Sequence, residues 1–105
     1  MPDFDEIMKM AQQAQADLQK AQDELDTIEV EGAAGGGMVK IRATAKGRII
    51  AVSIDESLLQ PSEKTMVEDL VAAALNDARS KADVAASEKM QKVTSGLPMP
   101  PGFKF

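Results

Sequence analysis

Between residues 4 and 28 the apolar side chains fall at Phe4, Ile7, Ala11, Ala14, Leu18, Ala21, Leu25 and Ile28. The spacing is 3-4-3-4-3-4-3, an unbroken heptad pattern. A globular surface helix shows a looser 3.6-residue repeat, whereas a strict 3.5-residue repeat keeps one seam facing another helix. The pattern therefore predicts a helix over about residues 3–27 with a coiled-coil-like seam at Ile7, Ala11, Ala14, Leu18, Ala21 and Leu25. Asp3 suits its N-cap, and Glu6 three residues on fits a capping box. A helix of about 25 residues spans roughly 37 Å, more than a small sheet covers. Part of it should project or meet a second protomer. The seam can serve a second helix of the same chain or a homodimer, and the dimer is favoured because small domains commonly use C₂ symmetry.

The period changes near residue 28. Ile28 and Val30 alternate with glutamates, and Val39, Ile41, Ala43 and Ala45 alternate with Lys40, Arg42, Thr44 and Lys46. This period of two marks strands with one buried and one wet face. Strands are expected at about 28–33, 38–46 and 48–54, joined by short turns as an antiparallel meander. A second helix follows at about 63–93, with Ser62 as a candidate cap. Its apolar face carries Val67, Leu70, Val71, Ala74, Leu75, Ala78 and Ala82. A break near Arg79–Asp83 is conceivable for so long a helix, although neither Pro nor Gly stands there. Residues 94–105 form a Pro- and Gly-rich irregular tail. The expected class is α+β, one domain over 1–105 in the order α-β-β-β-α.

The chain has no cysteine and no histidine. That removes disulfides, zinc sites built on Cys or His, and imidazole catalysis. The acidic pairs Asp23/Glu24, Asp55/Glu56 and Glu68/Asp69 are the remaining catalytic candidates, and nothing converges on them. No enzyme, cofactor or small-molecule substrate is expected. The opening "MPDFDEIMKM" is acidic and lacks a long apolar run, so no signal or membrane span is expected and the cytoplasm is the default location. Gly32 and Gly37 have the spacing of a phosphate-binding loop, but Met38 and Val39 stand where Lys and a hydroxyl residue are required, and a strand follows instead of a helix. The glycines are better explained by a hairpin connection needing positive φ.

Charge is segregated along the chain. Residues 1–37 carry two basic and nine acidic side chains, residues 38–54 four basic and none acidic, and residues 55–105 six basic and eight acidic. A local positive surface can exist on a chain of net charge −5. Lys40, Arg42, Lys46 and Arg48 therefore form a candidate phosphate surface on the wet face of a strand.

Five segments together carry a family resemblance: "MKMAQQAQ", "VEGAAGGGMVKI", "IDESLL", "LVAAALNDA" and "PPGFKF", in that order and nearly end to end. In these the chain resembles the YbaB/EbfC family of bacterial nucleoid-associated proteins. The resemblance implies a homodimer whose helices project from a shared β core as tweezer-like arms. It implies binding of duplex DNA with weak sequence preference in the bacterial nucleoid, with roles in nucleoid organisation and gene regulation. It implies no enzymatic activity and no cofactor. Carried onto this chain, DNA contact by the arms points to Lys9, Gln12 and Gln13 in the first helix and to Lys89 and Lys92 in the second. The charge map points instead to Lys40 and Arg42. Asp17, Asp23, Glu24 and Asp26 make the second half of the first helix unfavourable for phosphate. A reading from another class is a dimeric scaffold that holds a protein partner and no DNA.

Overall fold

A computed structural model describes residues 3–95. Helix α1 spans Phe4–Glu24. Asp3 caps it, its Oδ1 accepting the Glu6 backbone N–H at 2.8 Å. The helix is shorter than its 3–27 pattern because the last turn, Leu25–Thr27, tightens into a 3₁₀ helix. There the Thr27 hydroxyl donates to the Glu24 carbonyl at 2.7 Å, taking up one of the carbonyls that a helix end leaves open.

The sheet follows: β1 at Glu29–Ala34, β2 at Val39–Thr44 and β3 at Ile49–Ile54, antiparallel in the order β1-β2-β3. Gly35, Gly36 and Gly37 all take positive φ between β1 and β2, which only glycine adopts freely in succession. Strand β2 ends at Thr44, two residues earlier than the alternation suggests. Lys46 falls in the turn, which Gly47 closes at φ +99° by donating its N–H to the Thr44 carbonyl at 2.9 Å.

Helix α2 runs unbroken from Lys64 to Ser95, 32 residues or roughly 48 Å. The conceivable break at Arg79–Asp83 does not occur. Ser62 does not cap α2 directly but lies within a 3₁₀ turn, Pro61–Glu63, that leads into it. The outer part of the expected tail, residues 96–105, lies outside the described residues.

Helix α2 lies over β1 and β2. The core consists of Val39, Ile41 and Ala43 from β2, Ala74 and Ala78 from α2, and Leu58. Alanines at 74, 78 and 82 recur every fourth residue and are buried, so the helix backbone approaches the sheet closely. Opposite them, a Cβ on Gly32 would overlap the Ala78 amide nitrogen and the Ala74 carbonyl oxygen. The outer edge of β1 is also covered. Asp77 Oδ2 accepts the Ala33 N–H at 3.0 Å, and Lys81 Nζ donates to the Glu31 carbonyl at 3.1 Å. Unpaired strand edges invite association with other chains, and α2 closes this one.

Strand β3 has no such cover. Val52 is in register with buried Ile41 yet stays 52% exposed, and Ile49 beside it is exposed too. The heptad seam of α1 is likewise used in part. Ala21 and Leu25 are buried at its root, Ala14 and Leu18 are half-buried, and Ala11, Ile7 and Phe4 stand open toward its tip. Phe4 is 73% exposed.

Candidate nucleic-acid interface

Two surfaces were expected to offer cations to a phosphate backbone: the wet face of β2, and an arm formed by the helices. Folding treats them differently. Along the chain, residues 38–54 contain no acid. Across the sheet they meet several. Strand register sets Glu31 opposite Arg42, and Glu29 Oε1 lies 3.6 Å from Arg42 Nη1. Asp26, at the exit of α1, receives both Arg48 Nε at 3.0 Å and Arg48 Nη2 at 3.3 Å. The same carboxylate accepts the hydroxyl of buried Thr44 at 3.1 Å. Hydrogen bonding from Arg48 holds the Asp26 carboxyl below its ordinary range. Two of the four cations are thus neutralised by residues distant in sequence. Lys40, whose cross-strand neighbours are Ala33 and Ser53, and Lys46 have no carboxylate within 4 Å among the described residues.

The arm has its own geometry. Chain direction carries α1 toward the sheet and α2 away from it, so the two helices pack antiparallel. Glu24 at the end of α1 meets Lys89, eleven residues beyond Ala78 on α2, with Oε2 and Nζ 2.8 Å apart. Lys89, placed among the DNA contacts by resemblance, is therefore held by a carboxylate. Its hydrogen bond is the largest influence lowering the Glu24 pKa. Lys92 lies one turn further out and is exposed. Lys9 and Gln12 are exposed toward the tip of α1. Gln13 is exposed as well, but its side-chain amide donates to Asp17 Oδ1 at 2.9 Å. Lys9 stands fifteen residues before Glu24 and Lys92 three after Lys89. At 1.5 Å per residue Lys9 and Lys92 are separated by roughly 18 Å along the arm.

The arm and the wet sheet face are not brought together. Lys40 and Arg42 point away from α2, on the side of the sheet opposite the buried Val39, Ile41 and Ala43. Three further cations, Lys20, Lys64 and Arg79, are exposed without a carboxylate within 4 Å among the described residues. No short motif marks any of them. Among the described residues, no group of three or more Asp or Glu side chains is placed to hold a metal. No described helix is long and apolar enough to cross a membrane.

A three-stranded antiparallel sheet bearing a long two-helix arm defines a class of small α+β fold that a solved structure shares. The crystal structure of an uncharacterised protein from Helicobacter pylori superposes with a TM-score of 0.68, covering 90% of this chain and 96% of that one, at 21% identity. That likeness concerns the fold. The chain belongs to the YbaB/EbfC DNA-binding family, whose model matches residues 1–97. It is 56% identical over 103 residues to a nucleoid-associated protein of Nitrobacter hamburgensis, covering 98% of this chain and 97% of the relative. It is 54% identical over 105 residues to a nucleoid-associated protein of Nitrobacter winogradskyi, covering all of this chain and 99% of the relative.

Proposed function

We propose that this chain is a nucleoid-associated protein that binds duplex DNA as a homodimer, with low sequence specificity, in the bacterial cytoplasm. The observation that carries this reading is the match to a DNA-binding family over residues 1–97. Contact runs mainly through phosphates. Lys9 and Lys92 supply unpaired ammonium groups along the arm, Gln12 supplies a neutral hydrogen-bonding partner, and Lys40 is a secondary contact from the sheet. Lysine contacts of this kind position a protein on the duplex without reading bases. A role in nucleoid organisation or gene regulation follows from such binding. The net charge of −5 keeps the affinity modest, and phosphate contacts make it strongly salt-dependent.

Open apolar surface on the sheet and along the seam of α1 is what supports the dimer. Ile49 and Val52 on the uncovered part of the sheet are the apolar surface such a contact would use. A gel shift on duplex DNA across a range of salt tests the DNA reading. A protein-binding scaffold is the second reading, favoured by the open apolar tip of α1 at Phe4, Ile7, Met8 and Met10. One partner recovered at stoichiometric yield, with no DNA-dependent recovery, would favour it.

A further inference from the structure

We infer that Glu24 is an affinity-setting residue that occupies Lys89 as an internal substitute for a DNA phosphate. The inference rests on the DNA-binding reading above. The cations of the arm divide into two kinds. Lys9, Lys20 and Lys92 have no carboxylate within 4 Å among the described residues, whereas Lys89 Nζ sits 2.8 Å from Glu24 Oε2. The pair lies where the two helices meet. Lys89 has only 29% of its side chain exposed and Glu24 40%, so the lysine is drawn against α1 instead of reaching into solvent. A carboxylate offers an ammonium the same charged oxygen acceptors that a phosphate does. Glu24 is held ionised by that contact, so the competition operates at any neutral pH. Partly exposed ion pairs of this kind are weak, which makes exchange for a phosphate feasible.

The consequence is a cation that contributes to DNA binding only after its carboxylate partner is displaced. Glu24 thereby lowers affinity, and the arm binds DNA with fewer lysines than its sequence displays. Lys20, one turn before Glu24, also feels its charge and is separated from Lys89 by the design of the test.

The test is a duplex gel-shift titration over a salt series with the full chain, E24Q, K89Q and the E24Q/K89Q double variant. E24A repeats the readout should E24Q fail to fold by circular dichroism. The expected result is that E24Q binds roughly threefold tighter at low salt, with a slope of log K against log salt steeper by about 0.9 per protomer. K89Q alone stays near wild type, and the double variant loses the gain. Equal affinity and slope for wild type and E24Q overturn the inference while leaving DNA binding intact. A gain that survives in the double variant also overturns it, because the released cation is then not Lys89. No shift with any variant at the lowest salt overturns the DNA reading itself, and the inference with it.

Discussion

Gly32 of β1 lies against the backbone of Ala78 in α2, with no room between them for a Cβ. The contact fixes how closely the long helix lies on the sheet, and so where the arm emerges. The overlapping atoms are backbone, which cannot rotate aside as a side chain does. Gly32→Ala should therefore cost at least about 2 kcal/mol, lowering Tm by roughly 10 °C in a domain of this size. Gly36→Ala is the contrast. Its Cβ would meet nothing within 4 Å, and only its positive φ of 66° opposes the change, so the loss should be smaller. Thermal melts of both variants check the order. Equal losses would contradict the close packing.

The dimer is a separate expectation. Light scattering at micromolar concentration should give a mass near twice 11.2 kDa. Val52→Glu places a charge on the uncovered part of the sheet, where it is solvated in a monomer and buried in a dimer contact. It should shift the protein toward monomer without unfolding it. A native-like dimer in that variant would place the interface elsewhere.

Arm and sheet can be separated by charge removal. K9Q/K92Q removes two unpaired lysines from the arm and should flatten the salt slope by about 1.8 per protomer. K40Q/R42Q should change it less, because Arg42 is already engaged by Glu29 at 3.6 Å. The reverse order would make the sheet the principal contact.

Acid sensitivity follows from four lowered carboxyls. Asp26 is lowered first by the Arg48 hydrogen bond, Glu24 by that of Lys89, Asp55 by the Ser57 hydroxyl, and Asp77 by the Ala33 backbone N–H. Their folded-state pKa values lie below the ordinary 3.8 for Asp and 4.5 for Glu. Such groups stabilise the fold above their unfolded pKa, and that contribution disappears as pH falls through the folded value. Tm should therefore hold steady from pH 7 to about 5 and decline below about 4. Asp26→Asn should decline less steeply than wild type. Identical acid profiles would show that the Asp26–Arg48 pair contributes nothing to this dependence.

Much of this architecture is legible in residue spacing. The heptads of α1, the period of two in β2 and the positive-φ glycines between strands are local patterns, and local patterns survive folding. The charge map did not survive in the same way. Residues 38–54 have no acid among them, but the hairpin register brings Glu31 opposite Arg42, and the turn out of α1 delivers Asp26 to Arg48. The first pairing follows from the length of the Gly35–Gly37 connection and could have been counted from it. The contact between Glu24 and Lys89 spans 65 residues and depends on how the two helices cross, which no local pattern encodes. For the same reason the seam of α1 could be recognised, but not how far along it the partner helix extends.

The most direct measurement is the apparent affinity of the wild-type chain for duplex DNA as salt is raised from about 50 to 200 mM. The protein should give a clear shift at the lowest salt, a steep linear fall of log K with log salt, and little dependence on DNA sequence. Absence of any shift at the lowest salt, or binding indifferent to salt, would contradict DNA binding through phosphates.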